Sequence, residues 1–520
     1  MITEVQLSLS PKQAICDAEI AKEVAKTLNL APSDIAFHKI TRRSVDARKK
    51  SIKVNLNILV STDSDYQSKK IEFAYKNVEK SEPVIIVGAG PAGIFAALRL
   101  LELGIKPIIL ERGKDVSARK RDIAQLYKTQ TINGESNFCF GEGGAGTFSD
   151  GKLYTRSKKR GNINRILQEF VYHGAKEDIL VDVHPHIGSN LLGTIIANMR
   201  KCIIEHGGEI HFETKVSDIL IEFGQVKGVA TSSNGTITAK SLLLATGHSA
   251  RDIYELLYEK QIHIEPKAFA MGVRIEHPQD IIDRIQYHNS PDIEYLPPAS
   301  YNLVHQAEGR GVYSFCMCPG GIIVPAASSD NEVVVNGMSN AMRNSPFANS
   351  GIAVEIRTED LKDFSKFGAL AGMEMQRTLE QMANRNGGRG QIAPAQRLID
   401  FYKNKVSQEL PPYSYLPGAA SSPMHFWLPE HIATRLQEGF SAFGKKMRGY
   451  FTNEAVILGV ESRTSSPVRI PRDKETLEHV QVKGLFPCGE GAGYAGGIVS
   501  SAVDGQKCAE MATLRLLDNL

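Results

Sequence analysis

The run VIIVGAGPAG at positions 84–93 constrains this chain more tightly than any other stretch. Val84 to Val87 form a short continuous apolar run, as a strand buried on both faces of a parallel sheet requires. Gly88, Gly90 and Gly93 follow at GxGxxG spacing, with Pro91 and Ala92 between the last two. The first glycine permits a sharp turn, the second lets a pyrophosphate approach the backbone, and the third lets a helix pack against the strand. Free N–H groups and the positive dipole end of that helix hold anions. Ile105 to Leu110 predict a second strand, and Glu111 stands 23 positions after Gly88. That is close to the ~20 at which an acid accepts hydrogen bonds from a ribose. Strand, turn, helix and strand thus predict a dinucleotide-binding βαβ unit, with Arg112 beside the acid. Glu111 favours a free ribose over a 2′-phosphate and does not choose between FAD and NAD.

With 520 residues the chain is long enough for about three domains. Its 61 basic and 58 acidic residues leave a net charge of +3, which gives no global attraction to nucleic acid or acidic membranes. The apolar stretch from Pro83 to Leu98 is shorter than the ~18 residues of a membrane span and is broken by glycines. Glu4 stands where a secretory signal would carry basic charge, so no membrane association and a cytoplasmic location are expected. Seven scattered cysteines with no CxxC predict neither a disulfide framework nor a metal site, and the CxC at Cys316 and Cys318 has no second pair near it.

Ahead of the βαβ unit, Val5–Leu9, Ala18–Leu28, Ile35–Ile40 and Ile52–Val60 alternate as strand, helix, strand, strand. The intervening HKITRRSVDARKKSIK is strongly basic. It reads as a solvated hairpin, since no aromatic residues interleave the charges, with RNA docking as the alternative. Beyond Glu111, Ser117–Lys128 predicts a helix, and Asn137 to Arg156 a loop unusually rich in glycine. Gly143, Gly144 and Gly146, with Thr147, are placed there to meet a flat or anionic ligand. A helix over Asn190–His206 precedes a β-meander that returns to the sheet at Ser241–Ala245. Ala245, Thr246 and Gly247 end that strand, and Val216, which opens the meander, joins the candidate cofactor contacts. After Ile253 the chain changes character, with Pro pairs, short strands such as Glu332–Val335 and helices such as Gly372–Arg385. Near the C-terminus, Leu485–Pro487 is a strand, Gly489 and Glu490 follow it, and Gly496 and Gly497 open a helix from about Ile498. Pointed at a flavin pyrimidine, that helix start would stabilise charge developing on reduction.

GAGPAG at 88–93, ATG at 245–247 and CGEGAGYAGG at 488–497, in this order, resemble FAD-containing oxidoreductases of the glutathione reductase structural class. FGEGGAGTFSDGKL, GHSARD, ESRTSSPVRI and PCGEGAGYAGGI are similar to a bacterial FAD-dependent dehydrogenase family often labelled NAD-utilising. The likeness runs from about Pro83 to the C-terminus, and the leading region resembles that family's first domain. It implies non-covalent FAD. The acid of the last motif is Glu490, where many relatives have Asp, so its reach to the ribityl chain or pyrophosphate differs. No second GxGxxG with strand and helix context is present, so a nicotinamide nucleotide either binds without a Rossmann unit of its own or is replaced by the substrate as electron source.

The expected fold is α/β. A Rossmann-like FAD-binding domain, a parallel sheet with a β-meander, takes residues 81–252 and 456–520. An inserted α+β substrate domain takes 253–455, and a small N-terminal α+β domain takes 1–80. Arg463 and Arg469 are candidates to clamp a substrate carboxylate or phosphate, with ion pairs along a domain seam as the alternative. His248 is a candidate for proton transfer. The expected activity is hydride transfer between FAD and a small-molecule substrate, with NAD(P)H as a possible electron partner. The rival readings are a flavoprotein acting on RNA, as tRNA-uridine-modifying flavoproteins do, and a non-catalytic FAD-binding partner.

Overall fold

Three of the apolar runs pair side by side in a computed structural model that describes residues 2–67, 70–155, 161–233 and 235–518. Arg156, the last residue of the expected glycine loop, lies outside them. The parallel sheet runs Leu485–Pro487, Leu242–Leu244, Pro83–Val87, Lys106–Leu110, Glu209–His211. Apart from the edge strand Glu209–His211, its strands are buried on both sides, so alternate residues serve different layers. Val84 and Ile86 pack with the helices Pro91–Leu103 and Ile498–Asp518, whereas Ile85 and Val87 pack with Val216, Ile219 and Val229 of the meander. Two glycines set the spacing. A Cβ on Gly93 would collide with the Gly88 carbonyl, and one on Gly505 with the carbonyl of Ala92. The βαβ helix therefore sits unusually close to both its strand and the C-terminal helix.

A second sheet of seven strands runs Val304–Ala307, Arg310–Cys318, Phe347–Ile356, Phe269–Pro278, Val456–Glu461, Ala393–Arg397, Ala419–Ser421. Its core is completed by Met375 and Leu379 of the helix Ala371–Gly387 and by Ile432, Leu436 and Phe440 of Glu430–Lys446. This layout moves the expected domain boundaries. Val456–Glu461 pairs with Phe269–Pro278 and Ala393–Arg397, so the return to the first domain falls after Glu461 and not at 456. The helix Arg251–Glu259 packs through Ile253, Tyr254 and Leu257 into the nucleotide-binding core, so the outward crossing falls after it and not at 252. The two crossings, Glu265–Pro266 and Val468–Arg469, pair antiparallel with each other. The strand expected over Glu332–Val335 is formed instead by Val335–Met338.

The N-terminal unit is a three-stranded antiparallel sheet in the order Ile2–Leu9, Lys53–Ser61, Phe37–Asp46, crossed by the helix Asp17–Leu28. Val5, Leu7, Ile20, Val24, Leu56 and Ile58 form its core. Part of the basic segment lies in the Phe37–Asp46 strand, and its Lys39 and Arg43 dock onto an acidic corner of the main body. Arg43 meets Asp182 at 2.7 Å and Asp178 at 3.3 Å, and Lys39 meets Glu177 at 2.6 Å. These pairs are partly solvated and contribute about 0–1 kcal/mol each. They orient the unit more than they stabilise it.

Candidate functional site

The register of the parallel sheet brings three loops together. Val87, Leu244 and Pro487 lie side by side at the carboxyl ends of neighbouring strands, so Gly88, Ala245 and Cys488 begin adjacent turns. The turns touch through glycines: a Cβ on Gly88 would stand 2.6 Å from the Ala245 carbonyl oxygen, and one on Gly491 2.5 Å from that of Gly247. The glycine loop closes over them. Gly143 N–H donates to the Ala89 carbonyl at 2.8 Å, and a Cβ on Gly144 would come within 3.1 Å of the Gly90 Cα. Gly146 lies against Ile498 and Pro91.

Arg119 holds this loop, and the sequence carries no signal of it, because an arginine in the helix Val116–Thr129 reads as a solvent-facing residue. Its buried guanidinium donates to the carbonyls of Asn137 (2.7 Å), Phe138 (3.0 Å), Glu142 (2.8 Å) and Gly144 (2.8 Å). Burial pulls its pKa down to about 10. Glu111 is the second staple. Its carboxylate accepts from Ala89 N–H at 2.8 Å, Gly113 N–H at 2.9 Å and Gly141 N–H at 3.0 Å. A carboxylate has about four lone-pair sites, so an acceptor position remains for a ribose hydroxyl. Arg112 is bound by Asp252 and Glu135 and stacks 4.5 Å over Phe140. Thr147 donates to the Glu142 carbonyl at 3.0 Å, and Val216 is buried in the meander core.

The remaining glycines separate by what lies beside them. Gly489 is closed in, with its N–H donating to Asp504 at 2.7 Å, and Asp504 is itself paired with Arg472 at 2.6 Å. Gly247, Gly496 and Gly497 have no atom within 4 Å of an added Cβ. Gly88, Gly93 and Gly491 thus serve protein packing, while Gly247, Gly496 and Gly497 line open space at the same edge of the sheet. The helix starts at Pro91 and Ile498, the vacant acceptor of Glu111 and the bare backbone at 247 and 496–497 fit a dinucleotide laid along these strand ends.

Arg463 is placed otherwise than the sequence suggests for a substrate clamp. It reaches Glu332 and Glu380 at 2.9 Å each, Ser328 at 2.8 Å and Ser249 at 3.3 Å. Arg251 from the first domain joins the same carboxylates at 3.0 and 2.9 Å, and Ser462 donates to Glu380 at 2.6 Å. Two arginines and two glutamates, all with side chains at most 9% exposed, form one neutral lock across the domain seam. The two guanidiniums hold Glu380 down to about 2, while burial pushes Glu332 up. Arg469 is exposed on the crossing strand, with its guanidinium 5.7 Å from the Tyr494 ring. Arg463 and Arg469 are therefore not brought together as one clamp.

His248 stands 3.7 Å from Glu490, and its Nδ1 is buried without a partner. Burial, reinforced by Arg463 and Arg251, lowers its pKa to about 3, so the imidazole is neutral near pH 7. Burial raises Glu490 to about 7, with Lys267 acting in the opposite direction. With the imidazole neutral and the two groups beyond hydrogen-bond distance, they are neighbours and not an ion pair. A cavity opens beside them between the domains, walled by Phe138, Phe148, Val324, Ala326 and Val334, with His248, Ser249, Glu461 and Arg463 at its edge.

The family models give the protein its class, the FAD-dependent oxidoreductases. A pyridine nucleotide-disulphide oxidoreductase model matches residues 82–259, an FAD-dependent protein C-terminal domain-like model matches 268–464, and a domain family of unknown function matches 1–61. The last two boundaries fall where the crossings and the N-terminal sheet place them. An "uncharacterized protein" of Clostridium beijerinckii is 42% identical over 98% of this chain and 97% of its own. The chain belongs to the same family as that protein, a family of FAD-dependent oxidoreductases. Looser likenesses reach a mutant of halogenase PltM in complex with FAD (11% identity, 85% of this chain and 71% of that one, TM-score 0.40) and L-proline dehydrogenase from P. horikoshii (13%, 84% and 94%, TM-score 0.33). Among the described residues no helix is long and apolar enough to cross a membrane.

Two outcomes follow from the lock and from Glu490. Arg463→Ala leaves Glu332 and Glu380 with one guanidinium between them, and is expected to cost about 3–5 kcal/mol, read from the shift in urea midpoint. A cost under about 1 kcal/mol would mean the network is solvated in solution. Glu490 titrates higher in the fold than in the unfolded chain, so its contribution is complete below its unfolded pKa and is lost as pH rises through about 7. His248, with its lowered pKa, loses its own contribution in the other direction, as pH falls below its unfolded value. The stability difference between wild type and Glu490→Gln, both without cofactor, isolates the first effect. It should move against the wild type between pH 5 and 8, and a flat difference would place Glu490 in water.

Proposed function

We propose that this chain binds FAD non-covalently and transfers hydride between it and a small molecule seated in the seam cavity, with a nicotinamide nucleotide as electron partner. The observation that carries this reading is the common location of the open glycine backbone and the cavity, both reached by the turns at 245–249 and 138–149. When bound, FAD supplies two-electron chemistry; the chain supplies placement, proton handling and exclusion of water. Glu111 and the helix start at Pro91 would hold the adenosine ribose and pyrophosphate, and Gly247, Gly496, Gly497 and Ile498 would flank the other end. Arg119 and the Arg251–Glu332–Arg463–Glu380 lock keep the cavity walls in place.

Glu490 is better matched than His248 to moving a proton near neutral pH, because a group titrating near 7 can both accept and release it. His248, neutral down to about pH 3, would act as a hydrogen-bond partner of the reacting molecule. Within the basic segment, Arg43 and Lys39 are engaged by Asp182, Asp178 and Glu177, which takes these two away from an RNA-facing surface.

The test uses the purified chain and Gly497→Val. The wild type should bind FAD and bleach anaerobically with NADH or NADPH. Gly497→Val places its side chain in open space, so the cofactor-free variant should keep its melting temperature while losing at least about tenfold in FAD affinity, about 1.4 kcal/mol. A wild type that takes up no FAD, or flavin that neither nucleotide reduces, would sink the corresponding part of the proposal.

A further inference from the structure

The charges around the seam cavity cancel before any ligand arrives. Glu461 and Arg463 are its ionised wall residues among the described ones. Glu461 is paired with the fully buried Arg274 at 2.8 Å, and that guanidinium also bonds Asn349 at 2.8 Å and the Cys316 carbonyl at 2.8 Å. Arg463 belongs to the neutral lock described above. A carboxylate or phosphate entering the cavity would be desolvated and would find its nearest guanidinium held by Glu332 and Glu380. An ammonium would meet Glu461 already neutralised by Arg274. Among the residues that line the cavity neither ion would find a free counter-charge, which is strongly unfavourable.

The other walls attract a different ligand. Phe138 and Phe148 stand edge to face with ring centroids 5.9 Å apart, opposite Val324, Ala326 and Val334. At the rim, polar groups offer hydrogen bonds without charge. His248 Nδ1 is buried and unpartnered, and the Asn336 side-chain oxygen already accepts from Gly337 N–H at 2.7 Å and from Arg274 at 3.4 Å, so its amide N–H is what it has left to offer.

We infer that the seam cavity selects an uncharged substrate with an apolar or aromatic body and one oxygen function, a carbonyl or hydroxyl, set against His248 and Asn336. The inference rests on the cavity being the reaction site proposed above. A carbonyl fits the donors at the rim, and the apolar body fits the phenylalanine and valine walls. Charge discrimination comes from the two compensated networks and not from shape alone, so matched molecules differing in one ionised group should separate.

Calorimetric titration of the FAD-loaded protein with acetophenone, para-acetylbenzoate and para-acetylphenyl-trimethylammonium tests this, with the flavin absorbance followed in parallel. Acetophenone should bind on the order of tenfold more tightly than either ion and perturb the flavin spectrum. Ser149→Lys, which adds a free cation at the cavity edge, should shift the preference toward para-acetylbenzoate by a similar factor. Equal or tighter binding of para-acetylbenzoate to the wild type, or binding of none of the three, overturns the inference. Bound flavin that neither NADH nor NADPH reduces, with the neutral probe keeping its preference, would sink the redox reading and leave the cavity's selectivity standing.

Discussion

The parallel pairing of Leu242–Leu244 between Pro83–Val87 and Leu485–Pro487 is the constraint on which the rest of this molecule depends. These strands come from regions separated by hundreds of residues, yet their register ends them together. Each must therefore turn in a crowded space, and glycine is what allows it, at Gly88 against Ala245 and at Gly491 against Gly247. A one-residue slip in the central strand would exchange its two buried faces, turning Leu243 from the helical layer toward the meander. The strand register, the two-sided core and the binding edge are one arrangement.

On that edge the chain sets two kinds of electrostatics apart. The dinucleotide edge is dominated by helix starts and backbone N–H groups, which suit an anion. The cavity is framed by compensated pairs, Arg274 with Glu461 and the Arg251–Glu332–Arg463–Glu380 lock. Such buried pairs gain little over well-packed apolar groups, and losing one partner is costly. Their use here is geometric: Arg251 belongs to the first domain and Glu380 to the second, so the lock fixes how the two close on the cavity. The paired crossings at 265–266 and 468–469 act alongside it.

The sequence made the strand-end turns legible because glycines such as Gly88, Gly93 and Gly491 answer close-packing requirements, and spacing records it. The strand at Leu485–Pro487 and the helix from Ile498 stand where the local pattern puts them. The cavity was far less legible. Arg463 finds Glu332 131 positions away and Glu380 83 positions away, and no local pattern announces such a pairing. Arg119 was hidden for the same reason, since its carbonyl partners lie in an irregular loop. The expected strand over Glu332–Val335 came out shifted to Val335–Met338 because Glu332 is drawn into the lock and Val333 N–H bonds the Glu380 carbonyl at 3.1 Å. The boundary at 456 was missed because a strand's apolar pattern does not say which of two sheets it joins.

The central claim is that loops from four separate stretches converge on one FAD molecule. Hydrogen–deuterium exchange on the chain with and without FAD tests it most directly. Protection on binding should appear together at 88–93, 141–147, 245–249 and 489–498, with residues 2–61 unchanged. Protection confined to 84–113, with the other three stretches exchanging as before, would contradict it.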